Sequence, residues 1–304
     1  MTNPPMILQE AMLYFADERV CIDFVADLRW PNGVTCPHCD ATTVAHIQSR
    51  RIWQCKGCRR QFSVKVGTIF EDSPISLSKW LPAIWLIASA KNGISSYEIQ
   101  RSLGVTQKSA WFMLHRIRLA MQAGTLEKVD GEVEVDETFI GGKARFMHED
   151  KREAKIKGRG SAGKTAVLGL LERHGPDGHS AVRAQVVPNT KRQSLSPEVR
   201  KHVIEGSSVY TDALKSYDDL AIDYVHEVID HAESYVRGVV YTNGIENFWS
   251  LLKRGIKGTY VSVEPYHLFR YLDEQAFRFN SRKATEFDRF QFAAKSSYRK
   301  KVDV

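Results

Sequence analysis

GEVEVDETFIGG, residues 131–142, alternates apolar and acidic side chains along its length. A period of two predicts a β-strand, in which successive side chains point to opposite faces of a sheet. One face then carries Val133, Val135 and Glu137, and the other carries Glu132, Glu134 and Asp136. The segment is therefore predicted to be a strand with acidic side chains near its end.

The segments that follow this strand predict an α/β fold. Three strands, one helix, a further strand and then helices form the order of a ribonuclease H-like domain, which is a mixed sheet flanked by helices. In that fold the metal-binding acids lie at the ends of strands. The segments are TAVLGLLER (165–173) and AVRAQVVPN (181–189) as strands, LSPEVRKHVI (195–204) as a helix, and SSVYTD (207–212) as a strand.

Three acids and one lysine are candidates for an active site. Asp136 and Asp212 each lie at or near the end of a predicted strand, and Glu246 lies in a predicted helix, TNGIENFWSLLKRGIKGTY (242–260). Lys253 follows Glu246 by seven residues, so both lie on one helical face about two turns apart. This spacing puts a metal-binding carboxylate and an ammonium where a DNA phosphate can pass.

Carboxylates in this arrangement suit phosphodiester transfer. The reaction needs an activated oxygen nucleophile and a stabilised leaving oxygen, and two Mg2+ ions about 3.5–4 Å apart supply both. Mg2+ prefers carboxylate oxygens and keeps several waters, so three acids suffice when DNA supplies further ligands. Any single Asp or Glu is most often a surface charge. On pattern alone, four other acids remain competitors: Asp218, Asp219, Asp223 and Glu227.

Four cysteines near the N-terminus predict one structural zinc ion. They form two C-x2-C pairs, CPHC (36–39) and CKGC (55–58), and each tight turn lets two sulfurs reach one tetrahedral ion. The alternative is a set of reduced cysteines without metal. Because Cys36, Cys39, Cys55 and Cys58 close the ligand shell, the site is structural, and His38 and His46 are expected to be bystanders. Cys21 stands alone and is expected to be a small core residue.

Basic side chains surround the second cysteine pair. They form either an ordinary solvated face or a surface for DNA phosphates, and beside a zinc ribbon we expect phosphate contact. The residues are Arg50, Arg51, Lys56, Arg59 and Arg60.

Two helical segments follow the zinc motif. Residues 76–90 predict a helix that Ser76 or Ser78 caps. The next segment, residues 94–121, has the outline of a helix-turn-helix, and its alternative is an ordinary helical hairpin.

Local signals define that helix-turn-helix. Ser95 and Glu98 form a capping box, Gly104 makes a tight turn, and Thr106 caps the second helix. The first residues of that helix are the ones expected to contact DNA bases, and they are Gln107, Lys108 and Ser109.

Composition limits the class of partner. The 304-residue chain has a net charge of +7 and a computed pI near 9.1, which favours an anionic partner. The longest apolar stretch, residues 80–90, is about half the length of a membrane span and contains Pro82. The N-terminus lacks the pattern of a signal peptide, so we expect a cytoplasmic protein with no membrane partner.

GRGSAGKT, residues 158–165, matches the phosphate-binding loop of nucleotide-binding enzymes. Such a loop follows a buried strand and opens a helix, whereas here a charged segment precedes it and a predicted strand follows it. We therefore expect no nucleotide cofactor. Residues 143–164 are instead predicted to be a flexible basic loop near the active site that can meet the DNA backbone.

At these residues the sequence resembles bacterial insertion-sequence transposases that join an N-terminal zinc ribbon to a DDE-type catalytic domain. The matching stretches span most of the chain in the expected order. They are CPHC…CKGC, QFSVKVGTIFEDSPISLSKWL (61–81), VEVDETFIGG (133–142), KGRGSAGKTAVLGLLER (157–173), VYTDALKSY (209–217), NGIENFWSLLKRGIKGTY (243–260) and HLFRYLDEQAFRFNSR (267–282).

The resemblance implies roles for the candidate residues. Asp136, Asp212 and Glu246 would bind two catalytic Mg2+ ions, with Mn2+ as an alternative, and Lys253 with the neighbouring Arg254 would contact DNA. Some members of the family have Asn as the third catalytic residue, so Asn243 is the second candidate for it. The chain departs from the family in residues 261–263, where a His-rich stretch is usual, and at Gln275, where an apolar residue is usual.

The sequence therefore predicts a transposase that binds terminal inverted repeats in double-stranded DNA. It would cleave the element ends and transfer the 3′-hydroxyls to target DNA, as a homodimer or larger assembly associated with the bacterial nucleoid. The alternatives are a decayed inactive copy, a non-enzymatic DNA-binding regulator and a metal-dependent nuclease. The predicted regions are 1–70 with the zinc ribbon, 71–127 with the helix-turn-helix, 128–290 as the catalytic domain and 291–304 as a basic tail.

Overall fold

A computed structural model describes residues 4–122, 128–142, 148–155, 163–175, 178–212, 214–229 and 242–298. The chain forms two compact units. One comprises Met1–Met121 together with Lys283–Val304, and the other comprises Gln122–Arg282. Both ends of the chain thus belong to the first unit.

Secondary-structure elements fall into three groups along the chain. The first group is α1 (Leu8–Tyr14), α2 (Glu18–Arg29), β1 (Val44–Ile47), β2 (Ile52–Cys55), β3 (Gln61–Phe62), α3 (Leu77–Ser89), α4 (Ser96–Leu103) and α5 (Gln107–Met121). The second is β4 (Glu132–Ile140), α6 (Glu149–Lys155), β5 (Thr165–Glu172), β6 (Ala181–Val187), α7 (Arg192–His202), β7 (Ser208–Asp212), β8 (Val225–Ile229), α8 (Asn243–Gly255) and α9 (Leu268–Asn280). The last is α10 (Glu286–Ser296), in the first unit.

The first unit contains a small antiparallel sheet of order β1-β2-β3. Trp53 of β2 lies across from Phe62 of β3, and their rings stack with centroids 6.1 Å apart. The ring of His46 stacks on the other side of this pair, against Trp53. Aromatic packing thus supplies most of the core of a ribbon too short to bury many side chains.

Helix α3 forms the centre of the helical part of this unit. Trp80 and Trp85 are fully buried, and Phe290 of α10 packs on Trp85 and on Phe15. Cys21 is buried near Phe15, whose carbonyl accepts its thiol hydrogen at 3.2 Å, as expected for a core residue.

The prediction that a serine hydroxyl caps α3 was wrong. Ser76 occupies the position before the helix, but its side chain accepts no hydrogen bond there. The carboxylate of Glu18 accepts from the amides of Leu77 and Ser78 instead, each at 2.9 Å. A carboxylate is the stronger acceptor for the free amides at a helix N-terminus, and it also complements the helix dipole.

The predicted first helix, glycine turn and second helix are present as α4 and α5, an arrangement that a helix-turn-helix shares with an ordinary helical hairpin. Ser95 and Glu98 form the predicted capping box, and Gly104 ends α4 with φ of 59°. The hydroxyl of Thr106 accepts from the amide of Ser109 at 3.1 Å and so caps α5. A left-handed residue at this point lets the chain reverse between the helices without strain at a Cβ atom.

The second unit contains a mixed sheet of order β6-β5-β4-β7-β8. Strands β6, β5 and β4 are antiparallel, and β4, β7 and β8 are parallel. Four of these strands lie where the sequence predicts them, and β8 was not predicted. Helices cover the sheet, so the predicted α/β class with a ribonuclease H-like domain is confirmed.

Alternation in β4 separates two cores, one on each face of the sheet. Val133 and Val135 pack with the buried face of α7 through Val199, whereas the opposite face packs α8 and α9 through Phe248 and Leu272. The predicted faces of the strand are therefore confirmed.

The region from 143 to 164 differs from the predicted flexible loop where it is described. Helix α6 occupies part of it, and residues 143–147 and 156–162 lie outside the described residues. Strand β5 begins at Thr165, as the sequence predicts. A nucleotide-binding loop would open a helix at this point instead. Within the described parts of the chain, helices are too short or too polar to span a membrane.

Candidate active site and zinc centre

The four cysteines of the two C-x2-C pairs come together in the first unit. Their sulfur atoms all lie within 4.8 Å of one another, with 3.7 Å between Cys36 and Cys58 and 3.6 Å between Cys39 and Cys55. The residue after each pair, Asp40 or Arg59, has positive φ, which turns each loop back around the sulfurs. Four soft ligands at this spacing fit one tetrahedral zinc ion, and the group contains no histidine.

Basic residues near this centre are mostly exposed. Arg50 donates a hydrogen bond to Gln61 at 3.2 Å, and Arg51 lies 3.7 Å from Asp23. The side chains that extend into solvent are Lys56, Arg59 and Arg60. In the helix-turn-helix, Lys108 is exposed, whereas the amide of Gln107 is held by the hydroxyl of Ser96 at 3.0 Å.

Two parallel strands bring the first two acids of the second unit to the same edge. Strand β4 pairs with β7 from Glu132 and Ser208 to Glu134 and Tyr210, and Asp136 and Asp212 each follow the last of these pairs by two residues. Carboxyl ends of parallel strands meet at one edge of a sheet, which is where ligands bind in open α/β folds.

Helix α8 supplies the third acid and the lysine to the same place. Glu246, Trp249 and Lys253 follow one another at helical spacing, so they share one face of α8. That face lines an open pocket of about 490 Å³. Its walls are Asp136, Glu137, Thr138, Asp212, Glu246, Trp249, Ser250 and Lys253. The structure therefore brings together all four residues that the sequence selects.

Asp136 is the most constrained of the three acids. Its Oδ1 accepts from the amide of Glu137 at 2.8 Å, and its Oδ2 accepts from the indole Nε1 of Trp249 at 2.9 Å. Burial and, after it, the negative charge of Asp212 together raise the pKa of Asp136 to about 6. Repulsion between facing carboxylates is the electrostatic condition that a divalent cation relieves.

A fourth carboxylate, that of Glu137, lies in the same pocket. Burial is the main reason that the pKa of Glu137 rises to about 7, and the charges of Asp212 and Asp136 contribute to the same increase. Its Oε2 accepts from the hydroxyl of Tyr217 at 2.6 Å, and burial raises the pKa of Tyr217 well above its ordinary value. Glu137 is thus held at the edge of the site by a phenol that stays protonated.

The competing acids lie elsewhere in the second unit. Asp219 and Asp223 form ion pairs with Arg200 at 3.1 and 2.6 Å, and Asp218 lies 3.4 Å from Arg192. Glu227 is exposed on β8 and is not among the residues that line the pocket. Paired surface carboxylates of this kind stabilise local structure.

Asn243, the second candidate for the third site residue, is exposed at the first position of α8. It does not line the pocket, whereas Glu246 does. The side chain of Glu246 accepts from the hydroxyl of Thr242 at 3.3 Å, one turn earlier in the chain. Geometry therefore favours Glu246 over Asn243.

Two family models match this chain, one in each unit. The model of an ISXO2-like transposase domain of the IS1595 group matches residues 128–280, and that of a transposase zinc-ribbon domain matches residues 16–61. The chain belongs to this transposase family. A Halobacterium salinarum protein described as lying in transposable element ISH50 is 30% identical over 252 residues, covering 79% of this chain and 83% of that protein. A transposase-like protein of Haemophilus influenzae is 37% identical over 97 residues, covering 32% of this chain and 78% of its own length.

In the transposase, sequence reasoning missed two residues that shape the pocket. Glu137 was assigned to the face of β4 away from Asp136, yet both line the pocket, and both follow the last pair of β4 with β7. Trp249 lies three residues after Glu246 and four before Lys253, so helical spacing alone could have indicated it. Gln275 is accommodated in the core, where it accepts from Arg278 at 2.9 Å.

Proposed function

We propose that this transposase cleaves DNA at the ends of its element and joins the freed 3′-hydroxyls to target DNA. The observation that carries the proposal is the convergence of three carboxylates, from β4, β7 and α8, with one lysine around a single open pocket. A regulator that only binds DNA has no use for three converging carboxylates.

Asp136, Asp212 and Glu246 are the residues that would hold the catalytic Mg2+ ions, and Mn2+ would fit the same oxygen ligands. When bound, two such ions activate the attacking oxygen and stabilise the leaving oxygen. Among the described residues, the cysteines form the only group of three or more ligands whose atoms all lie within 4.8 Å of one another.

The chain's own residues orient the reactants in this proposal. Asp136 lines the pocket and is fixed by one hydrogen bond to each carboxylate oxygen, so each oxygen keeps a lone pair for a cation. Lys253 lines the pocket from α8 and would hold a non-bridging phosphate oxygen, with the exposed Arg254 reaching the DNA backbone beside it.

DNA recognition is assigned to the first unit in the same proposal. The zinc ribbon and the helix-turn-helix would bind the terminal inverted repeats. In the ribbon, DNA phosphates would be contacted by the exposed side chains of Lys56, Arg59 and Arg60. In the helix-turn-helix, Lys108 at the start of α5 would contact base edges. Joining two element ends to one target requires at least two copies of the chain on DNA.

Strand transfer tests the proposal directly. Full-length protein is incubated with Mg2+, a DNA duplex that carries an element end and a target plasmid, and joined products are counted. Asp136→Ala, Asp212→Ala and Glu246→Gln are each expected to lose about 10³-fold or more, equivalent to about 4 kcal/mol of barrier. The matched control is Glu227→Gln, an exposed glutamate outside the pocket, which should keep wild-type activity.

Unchanged strand transfer in Asp136→Ala or Asp212→Ala would refute the assignment of these acids. Cleavage without joining in the wild-type protein would instead identify a nuclease. Binding of element ends without cleavage would identify a regulator or a decayed copy. If Glu246→Gln kept strand transfer and Asn243→Ala lost it, Asn243 would be the third metal-binding residue instead of Glu246.

A further inference from the structure

A glycine opposite the first acid makes room for an indole. Gly169 of β5 pairs with Asp136 of β4, and α8 packs on this face of the sheet. A Cβ atom at Gly169 would lie 2.5 Å from Cζ2 of Trp249 and 2.8 Å from Cδ1 of Ile245. Real Cβ atoms do not approach other atoms this closely, so a glycine is required for the indole to lie against the strand.

The indole placed there contacts the acid directly. Trp249 is 4% exposed, and its Nε1 donates to Oδ2 of Asp136 at 2.9 Å. The other oxygen of Asp136 accepts from the backbone amide of Glu137. Each carboxylate oxygen therefore has one fixed donor, and rotation of the carboxylate would break one or both hydrogen bonds.

Strand β4 also holds the beginning of the same helix. Glu134, two residues before Asp136 and 1% exposed, accepts from the amide of Ile245 at 2.8 Å and from Nε of Arg173 at 2.9 Å. Helix α8 is thus held at its first turn by Glu134 and in its middle by Trp249. Both attachments are on the face of β4 that carries Asp136.

We propose that Trp249, in the space left by Gly169, is a positioning residue that orients the Asp136 carboxylate for a divalent cation. The same contact orients α8 so that Glu246 and Lys253 face the pocket. This inference rests on the proposed function, because it assumes that Asp136 binds the cation. Hydrogen-bond partners of metal-binding side chains typically contribute about 10–100-fold to metal affinity.

Trp249→Phe tests the role, because it keeps an aromatic ring in the core and removes the N–H donor. Mg2+ affinity is measured calorimetrically on the full-length protein, together with the Mg2+ concentration that gives half-maximal strand transfer. Both are expected to weaken about 10–100-fold, with activity restored at high Mg2+ and with binding of element-end DNA unchanged. The control is Leu272→Val, which loosens the core that α9 shares with α8 outside the pocket lining and should leave Mg2+ affinity unchanged.

A second measurement needs no change at Trp249. In nitrogen-15 spectra of the wild-type protein, the indole N–H signal of Trp249 is expected to shift during Mg2+ titration, with the same apparent affinity as calorimetry. The signal should also move in Asp136→Asn without Mg2+. The positioning role would be overturned if the indole signal did not shift during the Mg2+ titration. It would also be overturned if Trp249→Phe bound Mg2+ with wild-type affinity.

The outcomes separate this inference from the proposed function. If Asp136→Ala keeps Mg2+ affinity and strand transfer, the proposed function fails and the inference falls with it. If Asp136→Ala loses both while Trp249→Phe loses neither, the catalytic assignment stands and the role of Trp249 alone is refuted.

Discussion

Asp136→Asn should change how the stability of the transposase depends on pH. In the absence of divalent ions, the pKa of Asp136 is raised from 3.8 to about 6. Because the folded state favours the neutral acid, stability is highest at low pH and falls as pH rises from about 4 through 6. The asparagine side chain cannot ionise in this range, so the variant lacks this component of the pH dependence.

The pKa values set the expected size of the effect. The difference between 3.8 and about 6 corresponds to about 3 kcal/mol at about 1.4 kcal/mol per pH unit, of which about 2 kcal/mol are lost between pH 4.5 and 8. Asparagine offers one acceptor oxygen to the two donors, the amide of Glu137 and the indole of Trp249, which costs about 1–3 kcal/mol at every pH. The variant should therefore be less stable than wild type at pH 4.5 and about equally or more stable at pH 8.

Urea unfolding of the full-length proteins, followed by circular dichroism in metal-free buffers at pH 4.5 and 8, measures the difference between variant and wild type. Contributions from the zinc ribbon are present in both proteins and largely cancel. The pKa of Glu137 is lower in the variant, which lacks the Asp136 charge, so Glu137 also makes the stability of the variant less dependent on pH. Mg2+ at about 100 times its Kd should add about 2.7 kcal/mol to the wild type at pH 8 and much less to the variant. A stability difference that is the same at both pH values would refute the argument that burial and Asp212 raise the pKa of Asp136.

Three further changes test features away from the carboxylate pocket. Cys58→Ser should abolish the expected one zinc per chain, measured by atomic absorption, and retention of that zinc would contradict a four-cysteine site. Glu134→Ala leaves Arg173 buried without its closest partner, so the free energy of unfolding measured in urea should fall by about 3–5 kcal/mol. A fall of less than about 1 kcal/mol would show that the pair does not stabilise the fold. Ser95→Ala removes one half of a capping box and should cost about 1 kcal/mol, with no measurable cost if the hydroxyl is not the cap of α4.

Local patterns in the sequence were enough to predict much of the second unit. Strict alternation in 131–142 predicts β4 and its two faces, because a period of two is imposed by the backbone of a strand. Asp212 could be selected because the end of a strand is a local position, and it does end β7. Asp136 was expected at or near a strand end, but it is the fifth of the nine residues of β4. The helical spacing from Glu246 to Lys253 is equally local, yet four other acids remained competitors on pattern alone, and the family resemblance selected among them.

Features that depend on distant contacts could not be predicted. Strand β8 is short, with Val225 and Val228 exposed, and only its parallel pairing with β7 makes it a strand. Glu18 caps α3 from 59 residues away, so the prediction of a local cap by Ser76 or Ser78 was wrong. The contact between Trp249 and Asp136 depends on the depth at which a helix packs on a sheet, which the sequence does not state.

The return of α10 to the first unit has a consequence for biosynthesis. Phe290 completes a cluster of aromatic rings with Phe15, Phe24 and Trp85, but the ribosome makes it only after the whole of residues 122–282. At roughly 5–20 residues per second, the early helices wait on the order of ten seconds with that apolar surface uncovered. A nascent or prematurely terminated chain would therefore expose the apolar surface of an incomplete first unit, and exposed apolar surface of this kind is what chaperones bind.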